Sequence, residues 1–222
     1  MLTLYYISFL ILIIALVLGI KNYERLENLK IIFFILVFSL IQIVFSEILY
    51  LIIDRINPNS LANRIEKGFS ITNIYTVIEF GLILSFFESI NKNQKTRKVY
   101  IISFFIGIAA YVTPFLINEY KSFIFFKYFS FVSGFIILAQ SLFQINRLLK
   151  IFNSKNQTDT ANLMMCIGIF LSNIILWPTT IIQSSVVNNF EKYYTLFVIA
   201  NSIGYIILYL FSSITFYGKN KY

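Results

Sequence analysis

Short polar segments cut the chain into seven apolar runs, each about as long as the roughly 20 residues an α-helix needs to cross the hydrocarbon core. The runs are Leu2–Ile20, Ile31–Ile53, Phe69–Ile90, Val99–Ile117, Phe123–Leu149, Leu163–Val187 and Tyr194–Tyr217. Val, Ile, Phe and Tyr are abundant in them and would favour strands in water. In lipid every backbone N–H and C=O must be satisfied without solvent, so runs of this length close their bonds internally as helices. The chain therefore reads as an all-α polytopic membrane protein, one bundle of seven transmembrane helices over residues 1–222.

Composition supports that environment. The chain is 58% hydrophobic and only 13% charged, against about a quarter charged in a soluble domain. Its net charge of +8 lies in Lys and Arg beside the spans, where anionic headgroups of the bilayer are the natural partner. No basic domain remains outside the spans, so nucleic acid is not expected as a partner. With no histidine and one cysteine, Cys166, the common zinc sites and His-dependent nucleophiles are excluded. No Walker A lysine loop and no G-x-G-x-x-G occur, and no cofactor is expected. Cys166 lies in an apolar run and reads as packing.

Basic residues alternate between the connections. Twelve of the eighteen fall at 21–30, 91–98, 147–155 and the C-terminal tail. The positive-inside rule then places these segments in the cytoplasm and the N-terminus outside, in a multi-pass inner membrane protein. The first run lacks a basic n-region and an A-x-A site, so it is expected to remain as a helix. The 54–68 connection is expected to turn at Asn57-Pro58-Asn59 and then form a short interfacial helix. The polar segment 153–162 is expected to be a flexible loop.

Polar side chains inside the spans are the candidate functional residues. Glu79 sits at mid-span, where a charge costs about 2.5–3.5 kcal/mol on insertion scales, so it is expected to be neutral or paired. Thr72, Tyr75, Thr76 and Glu79 share one helix face. Glu47 lies in the outer third of the second span, near a stripe of Ser39, Gln42, Ser46 and Tyr50. Lys127 is either a counter-ion for Glu47 or Glu79 or a lysine snorkelling to the headgroups. Asn173, Trp177, Thr180 and Ser184 repeat the spacing of Asn201, Tyr205, Leu208 and Ser212. With Asn73 these residues are expected to line an outward-facing pocket for a small-molecule ligand, beside the alternative that they tie helices together. Pro114 and Pro178 each remove one helical bond. Ser103, Gly107, Ala110 and Pro114, and Lys127, Ser130, Gly134, Ile137, Ser141 and Gln144, read as packing seams.

The last span has no lysine before Lys219, which excludes a retinal Schiff base, and the third ends in SFFESI rather than a D-R-Y-like triplet. The segments NIYTVIEF (Asn73–Phe80) and NSIGYIILYL (Asn201–Leu210) resemble a family of uncharacterised bacterial seven-helix membrane proteins. That family is similar in layout to the membrane sensor regions of some histidine kinases. The resemblance implies a sensory or ligand-binding protein, with a separate signalling partner because no kinase follows within these residues. As an alternative, three helices, a linker helix and three more resemble SWEET-type sugar transporters, a layout for small-solute transport. Catalysis is the least favoured class: Glu47 and Glu79 lie at different depths, and no histidine can hold a metal.

Overall fold

The computed structural model describes residues 2–22, 27–56, 61–91, 94–116, 122–151, 157–185 and 190–217. Within them, side chains are described except at 2, 27, 47, 49–73, 94–95, 114–116, 122–127, 157, 180–185 and 190–194. Seven helices account for nearly all of the described residues: α1 Leu2–Asn22, α2 Glu27–Ile56, α3 Leu61–Ile90, α4 Gln94–Leu116, α5 Ser122–Ile151, α6 Gln157–Ser185 and α7 Phe190–Tyr217. Six of them, all but α3, contain described stretches long and apolar enough to cross a membrane. Large apolar side chains such as Leu10, Phe34, Phe105, Phe135, Leu149 and Ile214 are exposed on the outside of the bundle. That is the surface a bilayer covers.

Two expectations about connections are corrected. Residues 61–68 form the first turns of α3, continuous with the span, and are not a separate interfacial helix. Residues 157–162 form the first turns of α6 and are not loop, with Asp159 in the first turn where the helix dipole favours an acid. Hydropathy marks where hydrocarbon ends. The ladder of i→i−4 bonds continues past that limit wherever helix-compatible residues follow.

Neighbours in sequence are neighbours in space. Each helix packs on the next, α1 closes the ring on α7, and α3 also packs on α5, which leaves α4 on the outside of the ring. The most extensive interfaces are α6–α7, α5–α6 and α1–α7. Close approach at α6–α7 works in both directions: Phe211 lies against Gly168, and Leu176 lies against Gly204, where no Cβ would fit. Such small-residue contacts bring backbones together where lipid removes the usual hydrophobic drive between helices. Inside, Phe80, Phe86, Phe87, Phe129, Phe216, Met165 and Ile169 are fully buried, and Phe80 meets Phe129 edge-to-face at 5.6 Å. Cys166 is buried among them as a free thiol.

Candidate functional site

The third helix brings Glu79 to the middle of the ring. It lies eleven residues before Ile90, about 16 Å along the axis and so about half of the ~30 Å core. Its own helix supplies the first partner, because Tyr75 sits one turn away and its hydroxyl is within hydrogen-bonding range of the Glu79 carboxyl. Tyr75 is buried, and its hydroxyl lies 2.8 Å from Ser39 Oγ of α2. Ser39 in turn donates to the Ile35 carbonyl at 2.9 Å. From α7, Tyr205 and Tyr209 stack on each other at 5.8 Å, and both lie within coulombic reach of Glu79. Ser39 is also within hydrogen-bonding range of Tyr209, and Tyr5 of α1 lies near Tyr209. One carboxyl, a serine and three stacked or hydrogen-bonded tyrosines thus converge from α2, α3 and α7.

Two features define what this cluster can bind. Glu79 and Tyr205 keep part of their surface accessible although Tyr75, Ser39 and Tyr209 around them are buried. Among the described residues, no Lys or Arg pairs with Glu79, and the described ion pair lies elsewhere, between Arg97 and Glu88 at 2.8 Å. Four residues further toward the N-terminus of α7, on the Tyr205 face, Asn201 has a buried Oδ1 with no hydrogen-bond partner among the described residues.

The other candidates divide into three fates. Glu47, Thr72, Asn73 and Lys127 fall in α2, α3, α3 and α5, but their side chains lie outside the described residues. Asn173 turns back on its own helix, donating to the Ile169 carbonyl at 3.0 Å. Trp177 faces α5: its indole N–H donates to the Phe131 carbonyl at 3.1 Å, its ring lies on Gly134, and it meets the Phe131 and Phe135 rings at 5.9 and 6.4 Å. The matching spacings on α6 and α7 do not give matching surroundings, since Trp177 packs on α5 while Tyr205 reaches Glu79. Ser212 is buried and donates to the Leu208 carbonyl at 2.8 Å.

Sequence reasoning missed Tyr209, although it follows Tyr205 by one turn, and left Ser39 outside the site. It also missed a second polar cluster at the basic end of the bundle. There Arg147 of α5 donates to Asn91 Oδ1 and, at 3.0 Å, to the Ile90 carbonyl. A cation is thereby placed at the C-terminus of α3, where the orphan carbonyls and the dipole favour it. Gln144 donates to the Tyr100 hydroxyl, so α3, α4 and α5 are fastened together. Across the same end, Asn28 of α2 donates to Asn162 of α6 at 3.2 Å. Among the described residues Arg147 Nε and Gln144 Oε1 are buried without partners, and Asn91 lies within hydrogen-bonding range of the Tyr100 hydroxyl.

Among the described residues no group of three or more acidic or thiol side chains is arranged to hold a metal. The chain matches no family model, no curated protein and no solved structure.

Proposed function

We propose that the chain is a ligand-binding or sensory membrane protein that takes a small molecule at the Glu79 cluster and acts through a separate signalling partner. The supporting observation is a carboxyl at mid-bundle that meets hydroxyls from three helices and no Lys or Arg among the described residues. Bare packing does not require such a group at a depth where charge is expensive. In this reading α3 is the seventh span. The basic end, with Arg147, Lys150, Arg97 and Lys98, lies in the cytoplasm of a bacterial cell, and the N-terminus lies outside.

Affinity capture of the full chain from mild detergent, before and after ultraviolet crosslinking, tests the signalling half. A recurrent effector, recovered with wild type and reduced with Glu79→Gln, is expected. Recovery of none under crosslinking refutes a partner-dependent role.

One observation favours small-solute transport as a second reading. Tyr75 and Glu79 on α3 stand opposite Tyr205 and Tyr209 on α7 with the same four-residue spacing, and α4 lies outside the ring as a linker would. Solute uptake into proteoliposomes that falls at least tenfold with Glu79→Gln would establish it.

A further inference from the structure

We infer that the helix ring has a releasable seam between α2 and the α1–α7 pair, which opens by a pivot of α2 about the basic end of the bundle. The inference goes beyond the ligand-binding reading and is tested without a ligand.

Packing around the ring is unequal. Among the described residues α1 packs far more extensively on α7 than on α2, its neighbour in sequence, and α2 approaches α7 only slightly. On its other side α2 packs extensively on α3. Where α6 meets α7, backbones come close at Gly168 and Gly204. Where α2 meets α7 at mid-depth, the approach is made by a long side chain instead, with Tyr209 within hydrogen-bonding range of Ser39.

The basic end is held by a different kind of contact. Gly19 of α1 lies three residues before the end of that helix, and a Cβ there would stand 2.7 Å from the Phe33 ring of α2 and 3.5 Å from Phe216 of α7. Asn28, in the first turn of α2, donates to Asn162 of α6 at 3.2 Å. One end of α2 is therefore pinned by close packing and a side-chain bond. Ser39 is eleven residues further on, about 16 Å along the helix.

The support on which α2 turns is fixed. Arg147 binds the end of α3 to α5, and Phe80 of α3 meets Phe129 of α5 edge-to-face at 5.6 Å. Parting along the seam also leaves each side with partners of its own. Ser39 keeps the Ile35 carbonyl at 2.9 Å and the Tyr75 hydroxyl at 2.8 Å, since a serine oxygen both donates and accepts. Tyr75 keeps Glu79 on its own helix, and Tyr209 keeps its stacking on Tyr205. What is given up between α2 and α7 at that depth is the Ser39–Tyr209 contact, and interhelical hydrogen bonds in membranes average only about 0.6 kcal/mol. Pinned ends, a firm support and a weak contact partway along are the parts of a hinge. Release uncovers Tyr209, now buried, and opens the Glu79 side of the ring toward lipid.

The test uses the full chain in lipid nanodiscs, in a Cys166→Ala background, with distances between nitroxide labels read by pulsed electron resonance. One label pair, at Ile48→Cys of α2 and Leu196→Cys of α7, replaces exposed side chains far from the pivot. The other, at Lys30→Cys of α2 and Tyr217→Cys of α7, replaces exposed side chains beside it. Tyr209→Phe keeps the ring and removes the hydroxyl. It should raise the longer-distance population of the far pair about two- to tenfold, the weight of one hydrogen bond, and leave the near pair unchanged. Ser39→Ala should act in the same direction. Ser213→Ala removes a hydroxyl bonded to the Tyr209 carbonyl within α7 and should move neither pair.

A far pair unmoved by both Tyr209→Phe and Ser39→Ala, in protein that elutes as folded, overturns the seam. Equal lengthening of both pairs overturns the pivot. An equal effect of Ser213→Ala overturns the role of the Ser39–Tyr209 contact.

Discussion

Gly134 decides whether Trp177 is a packing residue or a ligand contact. An ideal Cβ at Gly134 would lie 2.5 Å from Trp177 Cγ and 2.8 Å from Nε1, and closer still to Cδ1. Carbon atoms in contact prefer about 3.5–4.0 Å, so the indole or the helix must move by about 1 Å or more. The indole has little freedom to do so, held by its N–H bond to the Phe131 carbonyl and flanked by the Phe131 and Phe135 rings. Gly134→Ala should therefore part α5 from α6, at the roughly 1–3 kcal/mol typical of overpacking. Thermal unfolding in detergent, followed by circular dichroism, should give a clearly lower Tm. The companion Trp177→Leu removes the clash, so in a double-mutant cycle the alanine should cost much less in that background. An unchanged Tm for Gly134→Ala would refute the packing role and return Trp177 to the list of pocket residues.

Three further outcomes are expected. Arg147→Ala removes charged donors from Asn91 and the Ile90 carbonyl and should cost roughly 1.5–3 kcal/mol, whereas Arg97→Ala breaks an exposed pair worth at most about 1 kcal/mol. Equal Tm losses would show that the Arg147 clamp is not special. Glu79→Gln keeps a neutral hydrogen-bonding side chain and should elute as a folded protein, while Glu79→Lys puts an unpaired cation at mid-span and should reduce the folded yield by size-exclusion chromatography; tolerance of lysine would mean that this position faces bulk water. Cys166 is fully buried, so a membrane-permeant maleimide should label it only after denaturation, and rapid labelling of native protein would contradict its packing.

The seven helices were legible because lipid leaves a long apolar run only one way to satisfy its backbone. Their ends were less legible. The first turns of α3 from Leu61 and of α6 from Gln157 are polar, and hydropathy does not register a helix that continues beyond hydrocarbon. Glu79 and Tyr75 were legible as a pair for a different reason: they lie one turn apart on one helix, and the high cost of charge at that depth singles out the carboxyl. Arg147 was misread as one more basic residue of a connection. The partner that makes it structural is the end of another helix, fifty-six residues away in the chain.

What periodicity cannot supply is the rotation of one helix relative to its neighbours. Asn173 and Trp177 have the same spacing as Asn201 and Tyr205, and from sequence the pairs are equivalent. Gly134 breaks the equivalence, because its missing side chain lets Trp177 lie down on α5 and so turns that face of α6 away from the ring centre. On α7 the glycine works the other way. Gly204 receives Leu176 of α6, and the adjacent Tyr205 is left directed at Glu79. The site is thus set by where the neighbouring helices lack side chains as much as by the polar residues themselves. Filling Gly204 with alanine should force Leu176 and α6 away from α7, at the roughly 1–3 kcal/mol typical of overpacking, and displace Tyr205 without touching any residue of the site. An unchanged Tm for Gly204→Ala would show that the tyrosine is placed by something other than this interface.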